Sequence, residues 1–199
     1  AGASGVFMSY ELAKLNTSAR VLVLDKGSDL DGRVCPIKAG KTKTCVKCNP
    51  CHIMNGYGGA GTLSDGKYNI TTQFGGDLHN YVGLDKAMEL MEYVDEVLCS
   101  MGGADAKLYS TGNSELKTEC LKHDLHLLEA KVRHLGTDRN VRILGKMFDY
   151  CKDKIDMEFH TVIEDVEHQE DGTFIVKTDK GEVFSCKPRC SPGRFPPCS

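Results

Sequence analysis

The chain opens Ala1-Gly2-Ala3-Ser4-Gly5 and, one helix-length later, reaches the apolar run Arg20 to Asp25 (RVLVLD), which closes on an acid. Nothing else in the sequence limits the fold so strongly. Glycine lacks a Cβ and lets the backbone come close to another group. A short apolar run between polar residues reads as a buried parallel strand. A glycine turn, a helix and such a strand are most of a dinucleotide-binding βαβ unit. There the bare amides at the helix start meet a pyrophosphate, and an acid about 20 residues on accepts hydrogen bonds from ribose hydroxyls. Asp25 stands at that spacing from Gly5. The fingerprint's first glycine and its leading strand would lie ahead of Ala1, so the chain is expected to be the amino-terminal fragment of a longer protein, trimmed at both ends. The same glycines also suit a helix start with no ligand.

With 199 residues, 40% hydrophobic and 27% charged, the chain can bury one sizeable core. A net charge of −3 gives no basic surplus for nucleic acid or an anionic membrane surface. The apolar runs are too short to span a bilayer, and no basic segment leads into an apolar one at the start. A cytoplasmic location is therefore expected, with neither nucleic acid nor membrane as partner.

Along the chain, Ala1 to Leu15 reads as a turn feeding a helix with Val6, Phe7, Leu12 and Leu15 on its apolar stripe. Residues 27–80 lack periodicity, and a segment this long is expected to wrap around something. Leu84, Met88, Met91, Val94, Leu98 and Met101 recur at helical spacing. Ser114 to Leu135 reads as a second helical region. Gly136-Thr137 supplies a stop and an N-cap for a third helix, Asp138 to Lys152. From Met157 the pattern changes to strands (157–162, 165–168, 173–178 and 182–186), with Asp171-Gly172 and Lys180-Gly181 as hairpin turns.

Three further motifs bear on chemistry. Gly56 to Lys67 (GYGGAGTLSDGK) brings backbone amides close to a ligand, and Thr62, Ser64 and Lys67 add donors suited to phosphate or to flavin carbonyls; a surface loop is the plainer reading. Cys35, Cys45, Cys48 and Cys51 are clustered, and Cys-x2-Cys spacing lets thiolates share a zinc ion or an iron–sulfur cluster. A redox dithiol or plain structural thiols are the alternatives. In Arg133-His134-Leu135-Gly136-Thr137-Asp138-Arg139 a histidine beside two arginines could polarise a flavin or receive a proton, while helix-end signals explain Gly136 and Thr137 without any chemistry, which is the plainer reading.

The residues AGASGVFMSYELAK, VLVLDKG, Arg33-Val34-Cys35-Pro36-Ile37, CVKCNPC, GYGGAGTLSDGK, FGG and RHLGT together resemble the bacterial-type family of uncharacterised FAD-dependent, NAD(P)-linked dehydrogenases, which belong with the glutathione-reductase-like flavoproteins. The resemblance implies FAD held by Gly2, Ala3, Ser4, Gly5, Asp25, Lys26 and Arg33, with the loop of Gly58, Gly59, Ala60, Gly61 and Ser64 running along it. It places Phe159–Val162 against the adenine by backbone, with Val162 as a contact, and Gly193 near the flavin. No catalytic residue carries over.

The expected fold is therefore α/β: a partial Rossmann-type FAD-binding domain (three-layer ββα) over 1–83 and 136–199, with a helical insertion at 84–135 and a β-meander. The expected function is an FAD-dependent oxidoreductase passing hydride between NAD(P)H and a small-molecule substrate or electron acceptor. A cysteine-rich zinc-binding module without catalytic activity is the alternative.

Overall fold

A computed structural model describes residues 1–186. Helix α1 (Ala3–Lys14) follows the extended Gly2 and buries Val6, Tyr10 and Ala13, one stripe at the helical repeat. Leu15, expected on that stripe, caps the helix and is 73% exposed. Strand β1 (Leu22–Leu24) runs parallel to β5 (Asp156–Glu158), with Val23 opposite Met157. Two parallel strands need a crossover, and here it is the whole segment between them. The expected strand at 157–162 is thus shorter and starts one residue earlier.

Helix α5 (Thr137–Cys151) packs on α1 through Ile143, Leu144, Met147 and Cys151. Ile143 and Met147, 1% and 0% exposed, contribute about 1.5–3 kcal/mol each by leaving water. Val97 and Leu98, at the end of α3 (Leu84–Leu98), close the same core. Along the expected stripe Met88, Met91, Val94 and Met101 are half-buried and Leu98 is buried, and Leu84 falls outside it at 59% exposed. A π-turn over Cys99–Gly103 follows α3, with Gly102 at φ 111°. The short α2 (Leu78–Val82) precedes it.

The segment 84–135 is not helical throughout. Helix α4 (Ser114–Lys122) is capped by Asn113, whose side chain accepts from the Glu115 and Leu116 amides, and it ends where Asp124 takes φ 54°. A short polar side chain tolerates that left-handed turn. Beyond it, β4 (Lys131–His134) lies between β2 (Lys67–Ile70) and β3 (Leu108–Ser110) in an antiparallel sheet. The bidentate Arg133–Asp95 pair, with Arg133 Nη1 donating to Ala106 O at 2.7 Å, ties that sheet to α3.

The meander forms as expected. Strands β6 (Ile163–His168), β7 (Phe174–Thr178) and β8 (Val183–Cys186) pair antiparallel, and Gly172 and Gly181 take φ 81° and 76° in the two turns. A cavity of about 740 Å³ separates β7 and β8 from the parallel pair. The fold is mixed α/β with a parallel strand pair. Among the described residues no helix is long and apolar enough to cross a membrane.

Candidate functional site

Parallel strands leave a crevice at their carboxyl ends, where α/β proteins hold ligands. Here that crevice is a cleft of about 430 Å³ lined by Gly2, Asp25, Lys26, Gly56, Gly59 and Val162, among others. Its volume falls in the range of small-molecule sites. The opening turn, the acid after β1, the glycine loop and the residues after β5 therefore converge, although up to 160 positions separate Gly2 from Val162 (162 − 2).

Gly2 is the N-cap of α1 and no side chain caps the helix, so its first amides have no intrahelical acceptor. Its φ is −69°, which any residue adopts, and a Cβ built there meets nothing within 4 Å. Nothing inside the chain requires glycine at this point.

Asp25 is already engaged. Its Oδ1 accepts from the Gly27 and Gly56 amides at 2.7 and 3.0 Å, and its Oδ2 accepts from the Ala1 amino group at 2.9 Å. Burial alone would raise this carboxyl, but the hydrogen bonds from the Ala1 amino group and the Gly27 amide hold it below the usual aspartate value. A carboxylate offers about four acceptor positions, so one remains.

Gly56, Gly58 and Gly59 all have positive φ, and the Gly58 amide donates to Ala1 O at 2.8 Å. A Cβ on Gly56 would stand 2.4 Å from Ser28 O, and one on Gly27 2.3 Å from the Gly56 nitrogen. Those two glycines are required by backbone pressed on backbone. Gly58 is buried instead against Thr62 and Leu144, and Gly61 has open space around it.

Arg33 is 5% exposed, and its donors are spent on the chain: Nε to His52 O at 3.0 Å, Nη1 to Tyr57 O and Gly59 O at 2.7 and 2.8 Å, and Nη2 to Ile53 O. Burial lowers its pKa, and the negative charge of Asp25 works against that. The structure places it as a clamp on the 52–59 loop, so it has little left to offer a cofactor. Val162 is similarly occupied: its amide donates to Asp179 Oδ1 and its carbonyl accepts from the Asp179 amide. Both of its backbone polar groups are therefore spent within the chain.

Ala3, Ser4, Gly5, Ala60, Gly61 and Ser64 do not line the cleft; the Ser64 hydroxyl donates to Gly61 O at 2.7 Å. Gly193 lies outside the described residues. Cys35, Cys45, Cys48 and Cys51 are free thiols, and among the described residues no three ligating side chains stand close enough to hold a metal ion. The irregular path of 35–51 does not draw the four sulfurs together.

Two residues that the sequence does not single out hold the cleft. Asn140, fully buried on α5, donates to Gly61 O and Thr62 O at 2.9 and 3.0 Å and accepts from the Tyr68 hydroxyl at 2.7 Å. Thr161, 1% exposed, donates its amide to Asp25 O. An asparagine on the apolar face of a helix was the available signal.

No protein-family model matches the chain, and no curated protein does. Among solved structures, a glycine oxidase from Geobacillus kaustophilus is similar over 94% of this chain at 16% identity with a TM-score of 0.47. The chain spans about half of that protein, 51% of its length.

Proposed function

We propose that the chain is the FAD-binding part, residues 1–83 and 136 onward, of a flavin-dependent oxidoreductase whose full reaction passes hydride from a nicotinamide cofactor to a small-molecule acceptor. The observation that carries the reading is the cleft at the carboxyl ends of β1 and β5. There Gly2 at the head of α1, with no internal reason to be glycine, a carboxylate with one open acceptor position and Lys26 line the same space.

Gly2 at the head of α1 and Lys26 suit a pyrophosphate, and Asp25 suits a ribose hydroxyl. Val162 offers an apolar edge to an adenine ring. Bound FAD would supply hydride acceptance at its isoalloxazine, which the protein orients and tunes.

Calorimetric titration of the chain with FAD, ADP and FMN tests this. FAD and ADP, which share the adenosine diphosphate that these residues fit, are expected to bind, while FMN does not. Gly2→Val is expected to remove binding of both. Absence of heat with all three ligands, or equal binding of FMN, would overturn the reading.

A further inference from the structure

The cysteine block is absorbed by none of this. Cys48 and Cys51 line one cavity of about 240 Å³ together with His52, His160, Ser28 and Asn55. That is room for roughly eight waters at ~30 Å³ each. Both thiols are free and half-buried, unlike the fully buried Cys151, so a reagent entering the cavity can reach them. Two thiols three positions apart are at the spacing that closes a disulfide within one turn.

The surroundings hold one side of that pair still. Cys51 O accepts from the Met54 and Asn55 amides and from Asn55 Nδ2, at 3.1, 2.9 and 3.2 Å, and the next two carbonyls are gripped by Arg33. His52 Nδ1 sits 3.2 Å from Gly32 O. A carbonyl only accepts, so Nδ1 is the donor in this contact. Among the described residues no three ligating side chains stand close enough here to hold a metal ion.

We propose that Cys48 and Cys51 form a redox dithiol that reduces small external disulfides. One cysteine sulfur attacks a sulfur of R–S–S–R, forming a mixed disulfide and expelling one R–S group. The second cysteine attacks the protein sulfur of that mixed disulfide and expels the other. Two protein S–H bonds and one external S–S bond break, and one protein S–S bond forms. The two protons and two electrons leave on two R–SH molecules. The proposal does not depend on a bound flavin.

Glutathione redox buffers, acid quenching, alkylation and tryptic mass spectrometry on the whole chain test it. Cleavage after Lys47 and Lys67 puts Cys48 and Cys51 on one peptide and Cys45 on another. The expected product is the 48–67 peptide, unalkylated and two hydrogens lighter. Diluting glutathione about tenfold at a fixed GSH:GSSG ratio should raise the oxidised-to-reduced ratio of this peptide about tenfold, because two glutathiones leave per disulfide consumed. A single-thiol adduct would not move. Cys48→Ser and Cys51→Ser should each instead accumulate a glutathione adduct on the remaining cysteine. Adducts on single cysteines of the unsubstituted chain, a link to the Cys45 peptide, or no dependence on dilution would overturn the assignment.

Discussion

Replacing Arg33 by alanine tests how the cleft is held open. The guanidinium meets four carbonyls, those of His52, Ile53, Tyr57 and Gly59. A buried hydrogen bond contributes about 1 kcal/mol net, so losing four costs about 4 kcal/mol. Lost packing of its methylenes on Gly56 adds to this, and relief of a buried charge offsets a similar amount. Against a total stability of about 5–15 kcal/mol, the loss is large but leaves a folded protein. Lysine has three donors on one nitrogen and cannot span the same carbonyls, so Arg33→Lys is expected to recover less than half. Urea unfolding followed by circular dichroism reads the total. Hydrogen exchange locates it, since the Gly56, Tyr57 and Gly58 amides donate to Asp25, Ser28 O and Ala1 O and should exchange faster than amides in α5. An alanine variant within about 1 kcal/mol of the parent, with exchange of those three amides unchanged, would refute the clamp.

Three further outcomes are expected. Gly56→Ala, at φ 106° and with its Cβ 2.4 Å from Ser28 O, should lose about 3 kcal/mol in thermal unfolding, while Gly2→Ala should change stability by less than about 1 kcal/mol. Asn140→Leu removes three hydrogen bonds and should cost about 3 kcal/mol in urea, with faster exchange in the 58–64 loop. The Asp25 carboxyl is held below its ordinary value of about 4. Its stabilisation is therefore complete above that pH and lost as pH falls through the folded value. Urea midpoints from pH 7 downward should fall less steeply for Asp25→Asn than for the parent, and parallel curves would show that Asp25 contributes nothing to the acid transition.

What could be read from the residues was whatever repeats locally. Helices α1, α3 and α5 and the meander follow from apolar spacing and from Asp-Gly and Lys-Gly turns. The antiparallel sheet did not. KYNI and KVRH are four-residue strands, too short to show alternation, and they pair with each other across 61 or more positions (131 − 70). Within 114–135, mixed charge looked helical, and the break at Asp124 needed a φ that asparagine and glycine signal more clearly. In the cleft, Gly2 and Asp25 were legible because a fingerprint spaces them. Arg33 was legible as a candidate but its clamp was not: the surrounding carbonyls come from a loop 19 to 26 positions on, and no pattern announces such an arrangement.

The cavities of about 430 and 240 Å³ share Asn55, beside the close approach of Gly27 to Gly56. Main chain pressed on main chain leaves no room for a bulkier residue at either glycine, so the contour there is inherited whole. Retuning for other occupants falls to the side chains around it, Lys26, Met54 and Ile163 in one cavity and His160 in the other.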